Sequence, residues 1–296
     1  MAINVLEFLE ESVARNGAKT ACADEKEAYS YDELADRARR AGSALIEVTG
    51  VRRPVPVFMD KGCKALAVFM GAVYAGCFYV MLDPSQPPAR LDTIIKTLEP
   101  DVMIVDEKSR AKVEKLDFNG KVLPADELMD HIIDEDELGK VREQALDIDP
   151  LYSIFTSGST GVPKGVIVSH RSVIDFIGYF TKIFNITEDD VIGNQAPFDF
   201  DVSVKDIYSA LYTGATLQII PKKFFSFPTK LLDYLEDRKV TTLVWAVSAL
   251  CIVTTLNGFE YKRPSCINKV IFSGEVMPIK HLNAWREQYP DAMFVN

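Results

Sequence analysis

The chain, 296 residues and 33.1 kDa, exceeds the usual size of one domain, so one large domain or two lobes with an ample buried core are expected. Hydrophobic residues at 48% and charged residues at 26% exclude a disordered chain, and a net charge of -10 without a Lys/Arg block speaks against nucleic acid or an anionic membrane as partner. The opening MAINVLEFLEESVARNG lacks a signal peptide's basic head and apolar core, and no apolar run reaches about 18 residues, so a cytoplasmic location without a membrane span is expected.

That opening places acids and apolar residues at helical spacing. Beyond it, short β-branched apolar runs alternate with longer amphipathic segments. Helices are predicted at 31–48, 62–75, 87–98, 170–184, 229–238 and 278–289, with Ser30 and Ser169 as N-caps. Strands are predicted at 55–59, 79–82, 102–105, 152–155, 165–168, 216–220, 242–246 and 269–272. This rhythm predicts an α/β fold with mainly parallel sheets covered by helices. The acidic stretch 130–150 reads as a solvated surface helix and linker. Cys22, Cys63, Cys77, Cys251 and Cys266 are odd in number, form no CxxC pair and read as reduced structural thiols. His131, His170 and His281 are scattered without a metal-ligand spacing.

The most informative stretch is IFTSGSTGVPKGVIVSH, where the strand at 152–155 runs into Thr156, Ser157, Gly158, Ser159, Thr160 and Gly161, followed by Lys164. Glycines let backbone N–H groups converge on an anion, the hydroxyls add neutral donors, and Lys164 adds a charge, so the loop suits a polyphosphate. A plain hairpin turn is the competing reading, but it leaves six small polar residues where two would turn the chain. A Walker A motif fails, because counting from Gly158 puts Pro163 at the sixth place and Gly165 at the eighth. A P-loop NTPase is therefore disfavoured.

YSIFTSGSTGVPKGVIVSH (152–170) resembles the core signature of the adenylate-forming superfamily, which includes acyl- and aryl-CoA ligases, luciferases and the adenylation domains of peptide synthetases. Four further stretches resemble family motifs in the same order: YSYDELADRARRAGSAL (29–45), GAVYAGCFYVMLDPSQPPARL (71–91), FDFDVSVKDIYSALYTGATL (198–217) and IFSGEVMP (271–278). The resemblance implies the N-terminal large domain of such an enzyme. Residues 51–182 would form a first α/β lobe ending in the Gly-rich loop, and 1–50 with 183–296 an incomplete second one. It assigns Thr156 to Gly161 and Lys164 to ATP phosphates, and the backbone of Gly274, Glu275 and Val276 to adenine. Phe200, Asp201, Lys205 and Ser273 fall to the substrate. Asn296 would open the adenine-stacking motif Asn-x-Tyr-Gly-Pro-Thr-Glu.

The wording FDVSVKDIY with FSGEVMP is similar to D-alanine–carrier protein ligases and peptide-synthetase domains, in which an Asp at the place of Asp201 meets the substrate's ammonium. A carboxylate in a partly dry pocket favours a ligand cation over a neutral acid of the same shape. Asp201 could also cap the helix that follows it, and both roles could hold. Lys205 stands where the family usually has an apolar or aromatic pocket residue. Pointing inward it would neutralise Asp201 or select an acidic side chain; pointing outward it leaves a small neutral pocket.

The resemblance implies a two-step reaction: an amino-acid carboxylate attacks the α-phosphate of ATP, and the resulting adenylate passes its acyl group to the phosphopantetheine thiol of a carrier protein. Mg2+ is implied by the triphosphate. The alternatives are an acyl- or aryl-CoA ligase, a kinase or phosphatase yielding ADP, and a non-catalytic nucleotide-binding module. The family's later motifs and its small C-terminal domain are absent from the sequence, so the 296-residue chain alone is expected to be nearly inactive. An uncovered sheet edge would invite self-association.

Overall fold

The structure is a computed structural model and describes residues 2–156 and 163–296. Among these residues there are thirteen strands: β1 (Thr20–Ala23), β2 (Ala28–Ser30), β3 (Pro54–Phe58), β4 (Phe78–Leu82), β5 (Val102–Val105), β6 (Lys121–Pro124), β7 (Pro150–Thr156), β8 (Lys164–Ser169), β9 (Val191–Asn194), β10 (Thr216–Ile219), β11 (Thr242–Ala246), β12 (Lys269–Ser273) and β13 (Met293–Val295). Each predicted strand is present, shifted by two residues at most. The predicted helices are present too, at Tyr31–Ile46, Cys63–Tyr74, Pro88–Leu98, His170–Ile183, Pro228–Asp237 and Ile279–Gln288. Ser30 caps its helix with a full capping box to Glu33, and the Ser169 hydroxyl accepts from the Ser172 N–H.

The strands form two sheets, one in the order β13-β12-β11-β9-β10-β1-β2 and one in the order β6-β5-β3-β4-β7-β8. The first draws on residues 20–30 and 191–295, the second on 54–169. All pairings are parallel except β1 with β2 and β7 with β8. Strands β3, β4 and β5 are buried at every position, as expected for parallel strands covered on both faces. One buried cluster takes Cys22, Leu217 and Ile219 from the first sheet and Val57, Tyr79 and Ile104 from the second, so the two share a core. The helix Tyr31–Ile46 packs along Cys63–Tyr74 in that shared layer. The edge strand β8 is largely exposed.

The acidic stretch contains the helix Glu135–Glu143, mostly solvated. The five cysteines are free. His170 is buried and its ring nitrogen accepts from the Val5 N–H; burial lowers its pKa to about 4, which makes it a neutral tie for the N-terminal helix. No helix among the described residues is long and apolar enough to cross a membrane.

Candidate functional site

Parallel strands send their carboxyl ends to one edge, and in open α/β sheets ligands bind outside that edge. Three of the sequence-derived segments leave from the carboxyl edge of the first sheet. Phe200, Asp201 and Lys205 follow β9, Ser273 ends β12 with Gly274, Glu275 and Val276 beyond it, and Asn296 follows β13. Registers of Leu243 against Gly193, Ala246 against Ser273 and Ile271 against Val295 level these ends with one another. Thr156 ends β7 in the second sheet and lies opposite Lys164, the first residue of β8. Ser157, Gly158, Ser159, Thr160 and Gly161 lie outside the described residues.

Local chemistry explains several of these placements. Gly165 pairs across the ladder with Phe155, and a Cβ there would come within 2.9 Å of the Phe155 ring. The ring covers the bare backbone, so the Pro-Lys-Gly wording has a packing reason. Lys164 itself is exposed. Gly274 has φ +95, which L side chains rarely adopt, and nothing lies where its Cβ would be. The turn after β12 therefore offers open backbone, and the adjoining Val276 is 90% exposed.

Asp201 does not cap the helix Ser203–Thr213: the N-cap is Val202, without a side-chain bond, and the Ser203 hydroxyl donates to the Phe200 carbonyl. The Asp201 carboxylate is exposed, makes no hydrogen bond or ion pair with the described residues, and lies close enough to Tyr152 to raise that phenol. Burial is the larger cause of the Tyr152 shift, to about 12. Phe200 is 56% exposed beside Asp201. Lys205 is half-buried and does not pair with Asp201; its charge acts on Asp206 instead. Mutual neutralisation of Asp201 and Lys205 is thus not what the structure contains.

Sequence reasoning missed the polar groups behind this edge. Lys61, just after β3, donates to the Asn194 side-chain oxygen at 2.9 Å and to the carbonyls of Gln195 and Ala196 at 3.0 and 3.2 Å. The Asn194 amide donates to Asp206 Oδ2 at 2.7 Å, while Asp206 Oδ1 has no partner. Burial lowers Lys61 to about 7 and raises Asp206 to about 7, the latter against the pull of Asn194 and Lys61. Gln86 and Arg90 link the two sheets nearby: Arg90 donates to Gln86 Oε1 and to the Phe155 carbonyl, both at 3.0 Å, and Gln86 donates to Asp199 at 2.7 Å. Arg90 stands in the stretch GAVYAGCFYVMLDPSQPPARL (71–91), which is a usable signal. Lys61 carries none.

A crevice of about 540 Å3 opens at the carboxyl ends of β1, β3, β4, β9 and β10, with Met59, Lys61, Asp83, Phe198, Asp199 and Lys222 in its wall. None of the sequence-derived residues lines it. It adjoins their site through the segment 195–199. The described residues hold no group of three or more His, Cys, Asp or Glu that could bind a metal ion, so they supply no cage for Mg2+. Their chemistry is compatible with a nucleotide: an exposed cation and a hydroxyl at the loop base in the second sheet, and an unobstructed glycine turn on the carboxyl edge of the first.

A family model described as AMP-binding enzyme matches residues 9–296. The chain is 29% identical over 306 residues to an L-proline–[L-prolyl-carrier protein] ligase of Streptomyces coelicolor, covering 97% of this chain and 57% of the relative. It is 31% identical over 278 residues to a D-alanine–D-alanyl carrier protein ligase of Listeria monocytogenes, covering 90% of this chain and 52% of the relative. It therefore spans little more than half the length of these relatives. Among solved structures, the nonribosomal peptide synthetase FmoA3 in its AMPPNP-bound form superposes with a TM-score of 0.87 at 25% identity, over 99% of this chain and 31% of that one. VinN in complex with L-aspartate has the same fold, with a TM-score of 0.85 at 20% identity over 99% and 76% of the two chains.

Proposed function

The chain belongs to the AMP-binding enzyme family, and from that membership we propose that its natural gene product activates an amino acid as an aminoacyl-adenylate and passes the acyl group to a carrier protein. In the first step a carboxylate oxygen of the amino acid bonds to the α-phosphorus of ATP, the bond to the β-phosphate bridge breaks, and pyrophosphate leaves. In the second, the phosphopantetheine sulfur bonds to the acyl carbon, AMP leaves with the bonding electrons of the acyl–oxygen bond, and the thiol proton passes to solvent. Both steps rest on positioning and charge stabilisation, which this fold's carboxyl edge can supply.

The observation that carries the amino-acid reading is Asp201, an exposed carboxylate without a partner among the described residues, set beside Phe200 on the same edge as the open turn at Gly274. An ammonium group paired there would leave the substrate's carboxylate free for the nucleotide. Lys164 supplies charge to the β- and γ-phosphates, and Thr156 a donor at the loop base. The backbone of 274–276 flanks adenine, with Asn296 opening the remainder of that pocket. The names of the curated relatives, a prolyl and a D-alanyl carrier protein ligase, support an amino acid and a carrier protein as the two partners.

Product analysis tests this reading. The natural gene product incubated with ATP, an amino acid and a carrier protein should release AMP and pyrophosphate; ADP in place of AMP would contradict it, pointing to a kinase if the γ-phosphate passes to an acceptor and to a phosphatase if it is released as inorganic phosphate. Lys164→Ala in the 296-residue chain should lower nucleotide affinity by about 10- to 150-fold, the equivalent of roughly 1.5–3 kcal/mol for a hydrogen bond to a charged group. Equal affinities would return the loop to a plain hairpin turn.

A further inference from the structure

The segment before the helix Pro88–Leu98 is built to aim two side chains. Asp83 holds it by accepting from the Ser85 N–H through its carboxylate at 2.7 Å and from the Gln86 N–H through its carbonyl at 3.0 Å. Pro87 and Pro88 then fix the backbone into the first turn of the helix. Gln86 and Arg90 are thereby set one turn apart and bond to each other. From this pair one bond runs to the carbonyl of Phe155, the residue before Thr156, and one to the carboxylate of Asp199, two residues before Asp201.

We propose that Gln86 and Arg90 are positioning residues, which hold the base of the Gly-rich loop and the turn carrying Asp201 in one fixed relation across the two sheets. The proposal rests on the adenylation reading. In it the loop places the triphosphate and Asp201 places the amino acid, so the distance between loop base and turn sets how closely the carboxylate approaches the α-phosphorus. Each atom in the relay has one role. The Gln86 amide accepts from Arg90 through its oxygen and donates to Asp199 through its nitrogen, and Arg90 uses two separate nitrogens, Nε and Nη2, for its two contacts. A lysine, with one nitrogen, cannot reproduce that fork. The relay is half-buried, and the burial that raises Asp199 also shields the bond to it from water.

The test exploits donor and acceptor polarity. Gln86→Glu faces one carboxylate with another and breaks the bond to Asp199, whereas Gln86→Glu combined with Asp199→Asn restores it with the direction reversed. In amino-acid-dependent exchange of labelled pyrophosphate into ATP by the natural gene product, Gln86→Glu should lower kcat about tenfold or more with the ATP KM within about twofold. The double variant should recover to within about threefold of the unaltered protein. Hydrogen exchange should report the same coupling, with the amides around Thr156 and Asp201 opening together in the single variant and closing together in the double. An unchanged kcat in the single variant, or a loss that the double variant fails to recover at equal melting temperature, would overturn the proposal. Absence of exchange activity in the unaltered protein would instead overturn the adenylation reading, and the hydrogen-exchange arm would then decide the coupling by itself.

Discussion

Strand β9 has a buried acid at each end, and the two are treated in opposite ways. At its amino end Asp190 pairs directly with Lys269, at 2.7 and 3.0 Å, and also accepts from the hydroxyls of Thr241 and Thr242 and from the Thr187 N–H. Those bonds outweigh burial and hold Asp190 below the usual carboxylate range. At the carboxyl end Asp206 reaches Lys61 only through the Asn194 amide, one of its oxygens has no partner, and burial wins, so acid and lysine both sit at about 7. The amino end is a closed ion pair that locks β9 to β11 and β12. The carboxyl end lies against the crevice and near the turn that carries Asp201, and shifted pKa values in a cleft are common at functional sites.

The largest effect expected from this contrast is at the closed end. Lys269→Ala should cost about 3–5 kcal/mol of unfolding free energy at pH 7, because it strands Asp190 as a buried charge without its cation. Chemical denaturation measures it, and a loss under about 1 kcal/mol would mean the closed end is not the stronger one.

The open end should show itself in pH dependence, and with the reverse sign. Asp206 has a folded value of about 7 against 3.8, so the folded chain binds the extra proton between those values and stability falls as pH rises through that window. Lys61, lowered from 10.5 to about 7, regains stability only as pH rises above 7. Asp190, already lowered, keeps its contribution above 3.8 and loses it as pH falls through its folded value. Relative to the unaltered chain, Asp206→Asn should therefore gain about 2–3 kcal/mol between pH 5 and 8, at about 1.4 kcal/mol per pH unit. A difference independent of pH would erase the contrast. The smallest effect belongs to Thr242→Val, which removes one of several donors to Asp190 and should cost about 1.5 kcal/mol equally at pH 5 and pH 8.

The same strand marks the limit of what the sequence discloses. Val102–Val105 is an unbroken apolar run and Thr242–Ala246 becomes one after its threonine, and both strands have the bounds that the sequence predicts. β9 reads Val-Ile-Gly-Asn, four residues ending in a glycine and an asparagine, and passes for a loop; only its parallel neighbours on both sides make it a central strand. The short β1, β2, β6 and β13 escaped for the same lack of local signal. In the site, Asp201 and Gly274 were found because their surroundings have recognisable wording. Lys61, Asn194 and Asp206 do not stand out, since Lys61 meets Asn194 only across a separation of 133 residues and each looks like an ordinary polar residue in its own neighbourhood. The capping alternative for Asp201 was open in the sequence and is closed by the backbone, which starts its helix without that side chain.

The central claim, that this edge activates an amino acid through Asp201, is tested most directly by exchange of labelled pyrophosphate into ATP with the natural gene product. The panel should include D-alanine, proline, acidic amino acids, an aryl acid and a fatty acid. Exchange should depend on an amino acid, and Asp201→Ala should reduce it by about 100-fold or more, in line with a loss of about 3 kcal/mol or more on removing one partner of a desolvated charge pair. Preference for the aryl or fatty acid, or full activity of Asp201→Ala, would contradict the account.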